Sequence, residues 1–98
     1  MKMKKYEGLF ILKPNLTDEE YGKLTTSILD VITKNGGKVD AKEDLGTRDL
    51  AYMIKKDKKG RYLLVYFTAE TSSITAMERL YKINESILRA VIFIHEAA

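Results

Sequence analysis

Apolar positions along the chain switch between a period of two and a period of three to four, and the switches mark the elements. "KYEGLFIL" (5–12) reads as a first strand, ended by Pro14-Asn15. "TDEE" (17–20) then forms a capping box, in which Thr17 accepts from a first-turn amide and Glu20 reaches back. Tyr21, Leu24, Ile28, Val31 and Ile32 follow at helical spacing, and "NGG" (35–37) supplies the stop, so a first helix spans 17–35. From 38 to 54 the pattern returns to alternation, interrupted at Gly46. A glycine there predicts a bulge or bend in one long strand. A basic turn closed by Gly60 leads into a third strand, "RYLLVYFT" (61–68). Ile74, Met77, Leu80 and Tyr81 form one stripe of a second helix over 72–84, and "ILRAVIFIH" (87–95) is the last strand.

The order β-α-β-β-α-β predicts an α+β, ferredoxin-like sandwich: a four-stranded antiparallel sheet with two helices on one face. At 98 residues the chain is expected to form one domain, 1–98. The first and third strands are expected as parallel neighbours in the centre, with the second and fourth on the edges, running the other way.

Face assignments follow from the period of two. Leu63, Val65 and Phe67 are assigned to the helix-covered core; Tyr62, Leu64 and Tyr66 to the open face. Tyr6, Phe10 and Leu12 point inward on the first strand, leaving Leu9 and Ile11 outward. On the last strand Ala90, Ile92 and Ile94 point inward, and Val91 and Phe93 outward. The open face then carries a large apolar patch that calls for a partner.

Charge adds a second expectation. Seventeen basic and fourteen acidic residues give a net charge of +3, which alone says little about a polyanion. Parallel central strands would place Lys2, Lys4 and Lys5 at one pole with Lys55, Lys56, Lys58, Lys59 and Arg61. The acids Asp18, Glu19 and Glu20 would sit at the far end, as would Arg79 and Arg89. Such a pole suits phosphate contacts without base readout. "KGRYLLVYF" (59–67) shares a Lys-Gly start with the RNA-recognition motif, but its stacking aromatics are missing or out of phase. Base stacking on the sheet is therefore not expected.

The remaining chemistry is sparse. There is no cysteine, hence no disulfide framework or thiolate zinc site. The N-terminal lysines resemble the start of a signal peptide, but "LFIL" is too short for its apolar region. No run approaches membrane-spanning length. A cytoplasmic protein is expected, with no cofactor, metal, membrane or small-molecule substrate. His95 is expected to be a surface-packed strand-end residue. Glu43 and Asp44 are adjacent on a strand and point to opposite faces, so they cannot act as a carboxylate pair. No phosphate loop or nucleophile elbow is present, and an enzyme is not expected.

"KKYEGLFILKPNL" (4–16), "EDLGTRDLAYMIKK" (43–56), Gly60, Tyr62 and "ILRAVIF" (87–93) together resemble the bacterial small-subunit ribosomal protein S6 family over nearly the whole chain. The resemblance implies a structural role in the ribosome. It implies binding to the central domain, or platform, of small-subunit ribosomal RNA, together with the small basic ribosomal protein S18. By position, Glu43, Asp44 and Arg48 match family residues at the partner contact. Leu9, Ile11, Tyr62, Leu64 and Phe93 on the open face would join them. The charge map offers Lys2, Lys4, Lys5 and Lys56 as first phosphate candidates, with Arg79 and Arg89 behind them. Two departures are visible: Met53 stands where the family often has proline, and the sequence ends at "HEAA", so tail-dependent contacts are expected to be absent. The rival reading is a ferredoxin-like module that binds a protein or itself, without RNA.

Overall fold

Thr17 caps the first helix as its sequence requires. Its hydroxyl accepts from the Glu20 amide at 3.1 Å, and the Glu20 carboxylate accepts from the Thr17 amide at 2.9 Å. In the computed structural model, which describes residues 2–95, that helix is α1 (Asp18–Lys34). Strand β1 (Met3–Leu12) precedes it. Then come β2 (Lys38–Ile54), β3 (Asp57–Glu70), a 3-10 turn (Thr71–Ser73), α2 (Ile74–Lys82) and β4 (Ile87–Ile94). The helix ends where the glycines begin: Asn35 caps it and Gly36 adopts φ +83°. Gly37 leaves no room for a Cβ, which would sit 2.7 Å from an Ile32 methyl.

The sheet order is β2-β3-β1-β4, and every neighbouring pair is antiparallel. The ferredoxin-like expectation holds, and so do the edge positions of β2 and β4. The expected direction of the central pair does not. Met3 lies opposite Glu70 and Leu12 opposite Arg61, so β1 and β3 are antiparallel. The reason is topological. Each helix returns the chain to a strand parallel to the one it left, two places away. β1 therefore matches β2 and β3 matches β4, while each central strand opposes its neighbour.

The core lies between the sheet and the two helices. Phe10, Leu12, Leu63, Val65 and Phe67 are buried, against Leu24, Ile28 and Ile32 of α1 and Met77 and Tyr81 of α2. The rings are oriented specifically: Phe10 meets Tyr81 edge-on at 4.7 Å, and Tyr6 stacks on Phe67 at 5.6 Å. The Tyr81 hydroxyl donates to the Ile28 carbonyl at 2.6 Å, tying α2 to α1. Gly46, at φ +82°, sits in the β2 bulge, where the register against β3 shifts between Asp44 and Gly46.

The basic segment is not a six-residue loop. Ile54 pairs with Asp57, leaving a two-residue turn at Lys55-Lys56. Both lysines adopt left-handed φ, 48° and 73°. That is the backbone of a primed hairpin turn, which normally recruits Asn and Gly.

Candidate RNA and partner interface

The antiparallel central pair splits the proposed lysine pole. Lys2, Lys4 and Lys5 lie at one end of the sheet, where Lys5 is opposite Thr68, itself opposite Lys38. Asp40, whose carboxylate accepts from Thr68 at 2.8 Å, is part of that end. Lys55, Lys56, Lys58, Lys59 and Arg61 lie at the other end, with the close of β1. The convergence of the eight cations is therefore corrected, because it required parallel central strands. Arg89 moves as well. It pairs with Ile11 and stands at the hairpin end. Arg79, exposed in the last turn of α2, belongs to that end too. The acids of the α1 start are not remote either, since Asp18 acts electrostatically on Arg61.

The hairpin end gathers further cations, among them Lys13, Lys55 and Lys82. Lys13 follows β1 and its amide donates to the Ser86 carbonyl at 3.1 Å. The hairpin bends across the sheet end toward β4, so that Lys55 Nζ donates to the Ile87 carbonyl at 3.3 Å. Arg89 Nη1 donates to the Tyr52 hydroxyl at 3.0 Å. Lys82 ends α2 nearby, lining one cavity with Lys55 and Arg89. Lys82 carried a modest signal, since basic residues favour a helix C-terminus. Lys55 carried none for its placement, which depends on the bend.

The partner-face candidates divide by side. Leu9, Leu64 and Glu43 lie in one cross-strand row, and Val91 extends it on β4. Tyr62, Ile11 and Arg89 form the row on one side of it, and Tyr66, Glu7 and Phe93 the row on the other. All of these face away from the helices. Arg48 joins them with its guanidinium 5.9 Å from the Tyr62 ring centre. Val91 and Phe93 are 37% and 44% exposed. Ile11 is not available in the same way. It is buried, and the backbone of Gly60 passes so close that a Cβ there would lie 2.4 Å from an Ile11 methyl.

Asp44 lies on the opposite side, in the row of Leu63. Its Oδ2 accepts from Arg61 Nη2 at 2.6 Å, and Arg61 stacks over Tyr21 of α1 at 3.4 Å. The Arg61 hydrogen bond, with help from the Gly46 amide, holds the Asp44 pKa below its usual value. Asp44 is thus engaged within the chain, and only Glu43 of the acidic pair stands on the open face. His95 closes the far end of that face: Nδ1 contacts the Glu7 carboxylate and the ring meets Tyr66 edge-on at 5.6 Å.

Among the described residues no group of His, Cys, Asp or Glu is arranged to hold a metal, and no helix is long and apolar enough to cross a membrane. The arrangement defines a class of protein: a ferredoxin-like α+β sandwich that presents an uncovered sheet face beside a strongly cationic edge. The family model for ribosomal protein S6 matches residues 5–93, and the chain belongs to that family. It is 48% identical over 87 residues to the small ribosomal subunit protein bS6 of a Nitratiruptor species, covering 89% of this chain and 68% of the relative. It is 46% identical over 95 residues to the protein of the same name from Helicobacter pylori, covering 97% and 67%. The crystal structure of 30S ribosomal protein S6 from Thermotoga maritima superposes with a TM-score of 0.88 at 33% identity, covering 96% of this chain and 89% of that one.

Proposed function

We propose that this chain is a structural component of the small ribosomal subunit, acting in the cytoplasm. It binds central-domain ribosomal RNA through phosphate contacts and pairs with S18 through the open sheet face. The observation that carries this reading is the family match across residues 5–93. The geometry supports it on two counts. The row Leu9, Leu64 and Val91 offers apolar area that no helix covers, and Glu43 beside it suits a basic partner. The hairpin end supplies phosphate-facing charge in Lys55, Lys56, Lys82 and Arg89, none of which enters an ion pair among the described residues.

In this reading the hairpin end is the one that meets RNA. Lys56 and Arg89 now stand together, with Arg79 on the same end, ahead of Lys2, Lys4 and Lys5 at the mixed-charge end. On the partner side Glu43, Arg48, Leu9, Tyr62, Leu64 and Phe93 form the contact surface. Asp44 and Ile11 support it from within the fold.

The test is capture from bacterial lysate at low and high salt, with and without ribonuclease. Recovery of small-subunit RNA with one small basic protein is the expected result. Each phosphate-binding lysine lost should reduce the slope of log affinity against log salt by about one. A homodimer without salt-dependent RNA affinity would replace this reading with that of a self-associating module.

A further inference from the structure

The hairpin end holds a cavity of about 450 Å³ between the tip of the hairpin, the last turn of α2 and the start of β4. Its volume lies within the range of small-ligand pockets. Tyr81, Ile87, Leu88 and Ala90 line it with hydrocarbon; Lys55, Lys82 and Arg89 supply charge, against the single acid Glu78.

Several observations suit this cavity to a phosphorylated ligand with a flat apolar part. Lys55 is anchored through the Ile87 carbonyl, which uses one of its three ammonium donors. Arg89 is steadied by the Tyr52 hydroxyl through Nη1, and no other hydrogen bond among the described residues occupies its fork. Lys55 is thus fixed beside the apolar lining before any ligand arrives, and Arg89, on the open face of the edge strand β4, borders the same cavity. The backbone at the tip is also strained. A lysine is disfavoured in the left-handed region because its Cβ crowds the following carbonyl oxygen, and both turn positions hold one. Strain kept at a cationic tip points to use of the side chains. A phosphate of continuous duplex would meet the charges and leave the apolar lining bare. A nucleotide turned out of the stack satisfies both.

We propose that this cavity receives one unstacked nucleotide of RNA, its phosphate between Lys55 and Arg89 and its base against Leu88 and Ala90. The proposal rests on the RNA-binding reading above and adds that this end selects unpaired over duplex RNA.

The test combines amide NMR titrations with RNA binding. AMP is expected to shift Lys55, Leu88, Arg89 and Ala90, and inorganic phosphate to act at least about tenfold more weakly, the scale of one lost contact. Lys55→Gly relieves the backbone and removes a lining cation, so the fold should persist while AMP affinity falls about tenfold. Lys56→Gly relieves the neighbouring position and removes a proposed RNA-phosphate contact without touching the lining, so AMP affinity should stay while RNA affinity falls. A single-stranded oligonucleotide should compete with AMP, and a duplex of equal length should not. The proposal is overturned if AMP leaves these amides unmoved, if phosphate equals AMP, or if the two glycine variants bind AMP alike. Small-subunit RNA bound equally by wild type and Lys55→Gly also overturns it, while leaving the RNA-binding reading intact. AMP binding in a protein that takes up no small-subunit RNA, even with its partner, marks a free-nucleotide site and overturns both.

Discussion

β3 shows two different faces on one backbone. Leu63, Val65 and Phe67 on one side are sealed beneath α1 and α2, with 1% or less of their surface exposed. Tyr62, Leu64 and Tyr66 on the other side are half-buried and have no helix above them. Both sets are apolar or aromatic, so hydrophobicity alone does not separate them. Coverage separates them: the covered face is used in folding, and the open face keeps its area towards solvent, where a proposed partner would meet it. Substitutions on the two faces should accordingly fail in different assays.

The largest contrast is Phe67→Ala against Leu64→Ala. Removing the Phe67 ring leaves a cavity under the helices and should cost about 3–5 kcal/mol in denaturant unfolding. Leu64→Ala should cost well under half of that and weaken partner capture instead. Equal losses of stability would dissolve the distinction between the faces. Next in size, Glu43→Arg should reduce affinity for the proposed basic partner by about tenfold or more through like-charge opposition, with little change in unfolding. The expected result is a lower association rate that recovers in high salt. An unchanged rate would remove Glu43 from the interface.

On the covered side Tyr81→Phe removes only a hydroxyl. Burial pushes the Tyr81 pKa up, so the group is a neutral donor to Ile28 across the functional range. Its loss should cost about 1 kcal/mol in chemical denaturation. No change would mean that the tie between the helices carries no net stability. The smallest effect concerns acid. The Asp44 carboxyl is lowered in the fold by Arg61, so its contribution is complete above its unfolded value near about pH 4. It is lost as the pH falls from there through the folded value. Asp44→Asn should flatten the fall in stability below about pH 4 and leave the open face able to bind. A wild-type slope in the variant would place the acid sensitivity elsewhere.

Much of this was legible along the chain. Local signals act over a few residues, and they held: the Thr17–Glu20 box, the Asn35-Gly36-Gly37 stop, the Gly46 bulge, and the inward set of Tyr6, Phe10 and Leu12. The alternation of β3 sorted its faces correctly, because successive side chains on a strand must diverge. The hairpin turn was less legible. Lys55 and Lys56 are poor choices for left-handed positions, so the turn carried no Asn-Gly signal and the six-residue basic segment read as a loop. The lysine pole failed for a different reason. Periodicity gives the elements and their faces but not the direction of one strand beside another.

From sequence alone came the order of elements, the side on which each strand buries its residues, and the membership of a family. Those depend on short-range sterics and on which residues leave water. Only the folded chain decided which charges meet. It sent Lys2, Lys4 and Lys5 to one end, brought Lys55 to Arg89 across the other, and paired Asp44 with Arg61 beneath α1. Electrostatics acts through space, and residues far apart in sequence become neighbours only once strand direction and the bend of the hairpin are set.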